Sequence, residues 1–129
     1  MTRIHHLAVG TPDVLRLAEF YRDVFGLGEV ARHHDESGSL RSIWLDLGGS
    51  LLMIERSAAS RERVEGVGGG LFLLALRVGV EERNHLEQVL AARGHAVESR
   101  SAYSSYTRDP DGNRVAFSHH PREPEGAVG

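Results

Sequence analysis

Six of the eight histidines in this chain fall in adjacent pairs, His5-His6, His33-His34 and His119-His120. Neighbouring residues on a strand face opposite ways, so at most one member of each pair can look into a given site. Imidazole is a metal ligand, a proton carrier or a plain hydrogen-bonding core residue. The chain has no cysteine, so any metal must be held by His and by carboxylate oxygen, with no thiolate, disulfide or cysteine nucleophile. Glu55 closes the apolar run SLLMIE, where a carboxylate without a partner costs several kcal/mol or must take up a proton. That makes it a metal ligand, a general base, or the ion-pair partner of His6 or Arg77. Trp44, Tyr103 and Tyr106 are of the type that lines a cavity for an organic molecule, or packs a core, with Trp44 the better candidate for ligand contact. Arg77 suits a substrate carboxylate or phosphate, or a surface ion pair.

These residues have to be positioned by regular elements. Residues 3–10 alternate, His5, Leu7 and Val9 against Ile4, His6, Ala8 and Gly10, which predicts a strand. Thr11 is expected to cap a helix with Pro12 in its first position and Asp13 at the positive end of its dipole. Val14, Leu17, Tyr21, Val24 and Phe25 form its apolar stripe and Gly26 stops it. Strands are expected at 29–34, 40–47 and 50–55, joined by turns at Glu36-Ser37-Gly38 and Gly48-Gly49. Residues 57–70 are polar and then glycine-rich, the composition of a linker or mobile flap.

The pattern then repeats. Phe72, Leu74, Leu76 and Val78 alternate with Leu73, Ala75 and Arg77, and a helix over 81–93 turns Leu86, Val89 and Leu90 inward before Gly94. Strands follow at 96–100, 104–108 and 113–119, the last two joined through DPDGN. Aligning the two first strands by inward apolar residues sets Leu7 over Leu74 and Val9 over Leu76, so His6 falls on Leu73. The expected fold is α+β: two tandem βαβββ modules forming a curved mixed sheet around a concave cavity. Module one spans 3–56, the linker 57–70 and module two 71–120, with a Pro/Gly-rich tail at 121–129 that frays.

At 129 residues, 40% hydrophobic and 26% charged, the chain has the balance of one globular domain. A net charge of -3, without like-charge runs, gives no footprint for nucleic acid. The longest apolar run, residues 71–76, is too short to span a bilayer, and the start of the chain lacks a secretory pattern. The expectation is a soluble cytoplasmic protein. GVGGG is no phosphate loop, for it lacks the lysine and the strand-to-helix setting.

Three segments, IHHLAVGTPD with His6 seven residues before Asp13, AEFYRDVFGLG, and RDPDGNRVAF, give the chain its resemblance to the vicinal oxygen chelate superfamily. That group includes glyoxalase I, extradiol dioxygenases, fosfomycin-modifying enzymes and bleomycin resistance proteins. The resemblance covers about residues 3–119 and implies a divalent metal held by a His and a Glu from each module. Carried onto this chain it assigns His6 and Glu55 in the first module, whereas Leu73 stands for the second histidine and Ala116 for the second acid. Open enzyme sites usually keep three protein ligands, so this chelate is incomplete. Rescue by His120, which shares parity with Ala116, would have to span roughly 13 Å of strand.

The expected function is therefore a small-molecule-binding protein of the glyoxalase and bleomycin-resistance type, a homodimer, with no cofactor or only a weakly bound divalent metal. Its expected ligand contacts are His6, Trp44, Arg77, Tyr103 and Tyr106, with Glu55 as the catalytic candidate. The alternative is a metal-dependent isomerase, lyase or dioxygenase that uses His6 and Glu55 with unorthodox further ligands, in which the ion polarises vicinal oxygens and a glutamate carries the proton.

Overall fold

The structure is a computed structural model that describes residues 1–119; the expected frayed tail and His120 lie outside the described residues. The chain divides into two compact units, the first Met1–Glu62 and the second beginning at Arg63. Each is taken by itself.

The first unit runs β1 (His6–Thr11), α1 (Val14–Phe25), β2 (Glu29–His34), β3 (Leu40–Asp46) and β4 (Leu51–Arg56). Its sheet has the order β1-β4-β3-β2, with β1 parallel to β4 and the other pairs antiparallel. This is the expected βαβββ module. One boundary differs from expectation: Asp13, not Thr11, caps α1, its carboxylate accepting from the Arg16 N–H at 3.1 Å. The reason is tertiary. Thr11 is still in the ladder, paired with Arg56, and its hydroxyl accepts the Asp13 N–H at 3.1 Å, so the backbone stays extended two residues longer. Gly26 ends the helix at φ 71°, donating to the Arg22 carbonyl, a left-handed position that glycine fills without steric cost.

The stripe Val14, Leu17, Ala18, Tyr21 and Val24 is buried. Opposite it stand Ile43, Leu45, Leu52 and Ile54, all fully buried, and each such side chain contributes about 1.5–3 kcal/mol. Alternation along the strands then leaves a second face of the sheet, without the helix, for His6, Ala8, Ser42, Trp44, Met53 and Glu55.

The second unit repeats the order: β5 (Leu74–Arg77), α2 (Val80–Ala92), β6 (Ser99–Arg100), β7 (Ser104–Arg108) and β8 (Arg114–Ser118), arranged β5-β8-β7-β6. Again the first strand runs parallel to the last. The strands at its edges are shorter than the alternation predicts: β5 omits 72–73, and 96–98 meet β7 through Glu98 N–H to the Tyr106 carbonyl, Thr107 Oγ1 to the Ala96 carbonyl and Arg108 Nε to the Glu98 carboxylate rather than as a strand.

Helix α2 buries only Leu86 and Leu90. Its remaining contact with the sheet is polar, through Arg83 and Glu87, which meet at the fully buried hydroxyl of Ser105. Ser105 accepts from Arg83 Nε at 2.8 Å and donates to Glu87 Oε2 at 2.6 Å. The DPDGN turn is organised by Asp109, 4% exposed, whose carboxylate takes the N–H groups of Asp111 and Asn113 and the Asn113 side-chain amide. Among the described residues no helix is long and apolar enough to cross a membrane.

Candidate ligand-binding faces

Register decides which candidate residues meet. Residues paired across a ladder share a face, and in the first sheet His6 pairs with Leu51, Ala8 with Met53 and Gly10 with Glu55. His6 and Glu55 thus lie on one face but four rungs apart, about 13 Å at ~3.3 Å per residue. Two ligands of one ion must both come within about 2.2 Å of it. The structure does not bring these two together. His6 is exposed, and its Nδ1 lies 2.8 Å from Nδ1 of His5 in a hydrogen bond.

The ladders also correct the internal correspondence. In the second sheet Ala75 pairs with Ala116 and Arg77 with Ser118, just as Ala8 pairs with Met53 and Gly10 with Glu55 in the first. With Leu7 and Leu74 equivalent, the counterpart of Ala116 is Met53, and the counterpart of Glu55 is Ser118. Four positions match the chelate by this register: His6, Met53, Leu73 and Ala116. His6 alone carries a hard or borderline donor. Among the described residues no three His, Cys, Asp or Glu side chains are grouped as a metal ion requires, so the donor set does not fit the family's divalent ion.

The middle of the first sheet's helix-free face is aromatic. Trp44 pairs with Met53 on one side and Ala31 on the other, and the His33 ring meets its indole edge to face at 4.6 Å. This settles which of Ile43 and Trp44 faces the helix: Ile43 is fully buried on that side, and Trp44 is turned away. His33 is half-buried. Its Nε2 and the Trp44 Nε1 are buried without hydrogen-bond partners, and each such unmade bond costs ~1–3 kcal/mol. Glu55, Ser42 and His33 stand in adjacent register across β4, β3 and β2. No hydrogen bond joins them, so nothing in this row activates the serine as a nucleophile.

In the second sheet the helix-free face carries Ala75, Arg77, Tyr106, Ala116, Ser118 and Arg114. Tyr106 pairs with Ala116, and the hydroxyls of Ser104 and Ser118 meet at 2.5 Å two rungs along. Arg77 is exposed opposite Ser118. Tyr103 lies apart, in the bend before β7, where its ring meets His119 edge-on at 5.7 Å.

The residue that sequence reasoning missed is Arg114. Its guanidinium carbon lies 4.5 Å from the Phe72 ring centroid and 5.7 Å from that of Tyr106, within cation–π range of both. The signal that could have found it was parity, for it precedes Ala116 by two residues on the same strand.

The profile of the Glyoxalase/Bleomycin resistance protein/Dioxygenase superfamily matches residues 3–117. Among proteins of curated function, none matches this sequence. Similar solved structures include lactoylglutathione lyase from Agrobacterium tumefaciens, 23% identical with a TM-score of 0.68 over 92% of this chain and 94% of that one. The fosfomycin resistance protein FosX from Listeria monocytogenes is 17% identical, with a TM-score of 0.77 over 97% and 96%. TioX from Micromonospora sp. ML1 is 18% identical, with a TM-score of 0.68 over 92% and 99%. At such identities the likeness is one of fold. The profile spans both βαβββ modules, and the chain belongs to the Glyoxalase/Bleomycin resistance protein/Dioxygenase superfamily.

Proposed function

We propose that this protein binds a small organic molecule on the helix-free sheet surface of its modules and does so without the family's divalent metal. The observation that carries the reading is the register, which leaves His6 as the one donor among His6, Met53, Leu73 and Ala116. The helix-free face of the first sheet offers flat apolar contact at Trp44 and orphaned polar nitrogens at His33 and Trp44, and that of the second offers the Tyr106 ring. Apolar lining with a few unpaired polar atoms is the usual make-up of a small-molecule site. A FosX from Listeria monocytogenes has been solved with manganese and a dihydroxypropylphosphonic acid, so a relative of this fold takes both a metal and a small organic anion; the present chain retains the means for the second.

Equilibrium dialysis against Mn, Co, Ni and Zn, with Trp44 fluorescence and melting temperature followed over a panel of neutral aromatic compounds, tests the reading. Compounds from the panel are expected to perturb Trp44 and raise the melting point, with no stoichiometric metal uptake. Near-stoichiometric metal that vanishes in His6→Ala would refute it and return the protein to metal-assisted chemistry. As part of the same proposal the protein is a cytoplasmic homodimer that engages neither nucleic acid nor membrane, the exposed Ile4, Val30 and Leu71 supplying apolar surface for self-association. Sedimentation of a monomer at micromolar concentration would remove the dimer.

A further inference from the structure

Among the described residues Arg114 is a half-buried cation that has rings for neighbours and no anion. Arg83 and Arg108, with side chains 11% and 10% exposed, each reach a carboxylate and backbone carbonyl oxygens. Arg114 makes no hydrogen bond or ion pair with any described residue. Phe72 and Tyr106 lie against its guanidinium at 4.5 and 5.7 Å, contacts that hold the group in place and shed its water. Ring contacts satisfy the charge in part but leave the in-plane N–H groups without acceptors. Its Nε is sealed from solvent with no partner, whereas its terminal nitrogens are not among the sealed atoms. A planar fork with an open edge is the geometry that receives an oxyanion, two oxygens to two N–H groups.

The surroundings fix the rest of the ligand. Ala116 follows Arg114 by two residues on the same face, with Ala75 and Tyr106 on its two sides. Ala116 is buried between them, so the exposed methyl of Ala75 beside the half-buried phenol ring of Tyr106 is the apolar floor next to the guanidinium.

We infer that Arg114, held by Phe72 and Tyr106, is the anion-recognising residue of this protein, and that its ligand is a small organic acid with a carboxylate or phosphonate beside a flat apolar group. This rests on the small-molecule reading above and narrows its ligand class. The acid meets the terminal nitrogens of Arg114 while its apolar part lies over Ala75 and Tyr106.

The test uses the full chain and the side-chain Nε–H resonances of its arginines, titrated with benzoate, phenylphosphonate and the neutral benzamide. The sealed Nε–H of Arg114 exchanges slowly enough to be observed. It is expected to move with either anion, which separates carboxylate from phosphonate by affinity, and to stay in place with benzamide. Arg114→Gln is expected to weaken anion binding about tenfold and leave benzamide unaffected. Should that variant fold poorly, Arg114→Lys keeps the charge but not the fork, and the wild-type resonance decides alone.

Equal binding of all three compounds, a stationary Arg114 signal, or full affinity in a folded Arg114→Gln protein overturns the assignment. In those cases Trp44 and melting responses to neutral compounds still uphold the small-molecule reading. Stoichiometric metal dependent on His6 would remove the metal-free reading and leave the Arg114 result as measured.

Discussion

Glu87→Gln isolates the polar seat on which the second helix rests. The wild-type carboxylate accepts from Ser105 Oγ at 2.6 Å and from Arg100 Nε and Nη2 at 2.8 and 2.6 Å, and Arg83 Nε stands 3.9 Å away. The Glu87 side chain is 21% exposed and that of Arg100 56%, so solvent screens the Arg100 pair and little stability is assigned to it. The buried Ser105 bond to a charged acceptor is the larger contribution; Gln keeps one acceptor oxygen but not the charge, so the bond loses its charge assistance and one donor faces the amide NH2, a cost of about 2 kcal/mol. Unfolding entropy for 129 residues is on the order of 0.27 kcal/mol/K, so the melting point falls by about 7 °C.

Acidity supplies a second readout. Hydrogen bonding from Arg100, and then from Ser105, holds the Glu87 carboxyl below its ordinary 4.5, against the burial that pushes it up. A carboxylate with a depressed folded value contributes its full stability above pH 4.5, and that stability is lost as pH falls through the folded value. The gap in unfolding free energy between wild type and Glu87→Gln should hold constant from pH 8 to 5 and close below pH 4.5. Urea titrations at fixed pH measure it, with Ser105→Ala completing a double-mutant cycle. A melting point unchanged within 1 °C, or a gap that persists at pH 3, would refute the polar seat as a source of stability.

Three further outcomes follow from local geometry. Asp109→Ala removes the acceptor for two backbone N–H groups and the Asn113 amide at a 4% exposed position, and should cost about 3 kcal/mol, read by urea unfolding; a change under about 1 kcal/mol would mean the turn holds its shape without the carboxylate. Gly26→Ala places a side chain at φ 71° with no atom near its Cβ, so the cost is backbone strain alone, about 1 kcal/mol; Gly28→Ala, also free of neighbours but without positive φ, should be neutral, and equal effects at both would contradict the account. Met53→Glu sets a carboxylate diagonal to His6 on the same face, and should raise Zn or Ni affinity at least tenfold by equilibrium dialysis; no gain would disprove the register argument for that position.

The parts of this protein legible in the sequence are those where one periodicity has one physical cause. The strand alternation in IHHLAVG and LLMIE reports a sheet with one face against a helix, and that face is the fully buried set Ile43, Leu45, Leu52 and Ile54. Gly26 and Gly94 mark helix ends because both adopt positive φ. Failures arose where a residue had two qualified roles. Thr11 and Asp13 are both good caps, and only the pairing of Thr11 with Arg56 decides for Asp13. Glu55 was matched to Ala116 as the acidic residue at the end of its strand, but equivalence between modules is a matter of which rung pairs with which, and the ladders put Met53 there. His33 was illegible for a related reason, since its contact is with Trp44 on the next strand.

The same logic bears on Arg114. An arginine in DPDGNRVAF reads as a hairpin surface charge, and its parity with Ala116 acquires meaning only once that position is seen to carry no acid. In a module with glutamate at 116, the guanidinium two residues away on the same face would have a carboxylate within reach and little cause to hold another anion. With alanine at 116, no described residue pairs with it. Alanine at 116 therefore bears on two things at once: the position offers no metal donor, and Arg114 has no counter-ion among the described residues. On the proposed reading one feature, alanine at 116, underlies both parts of the proposal: no second acidic donor for a metal, and a guanidinium whose fork is open to an organic acid.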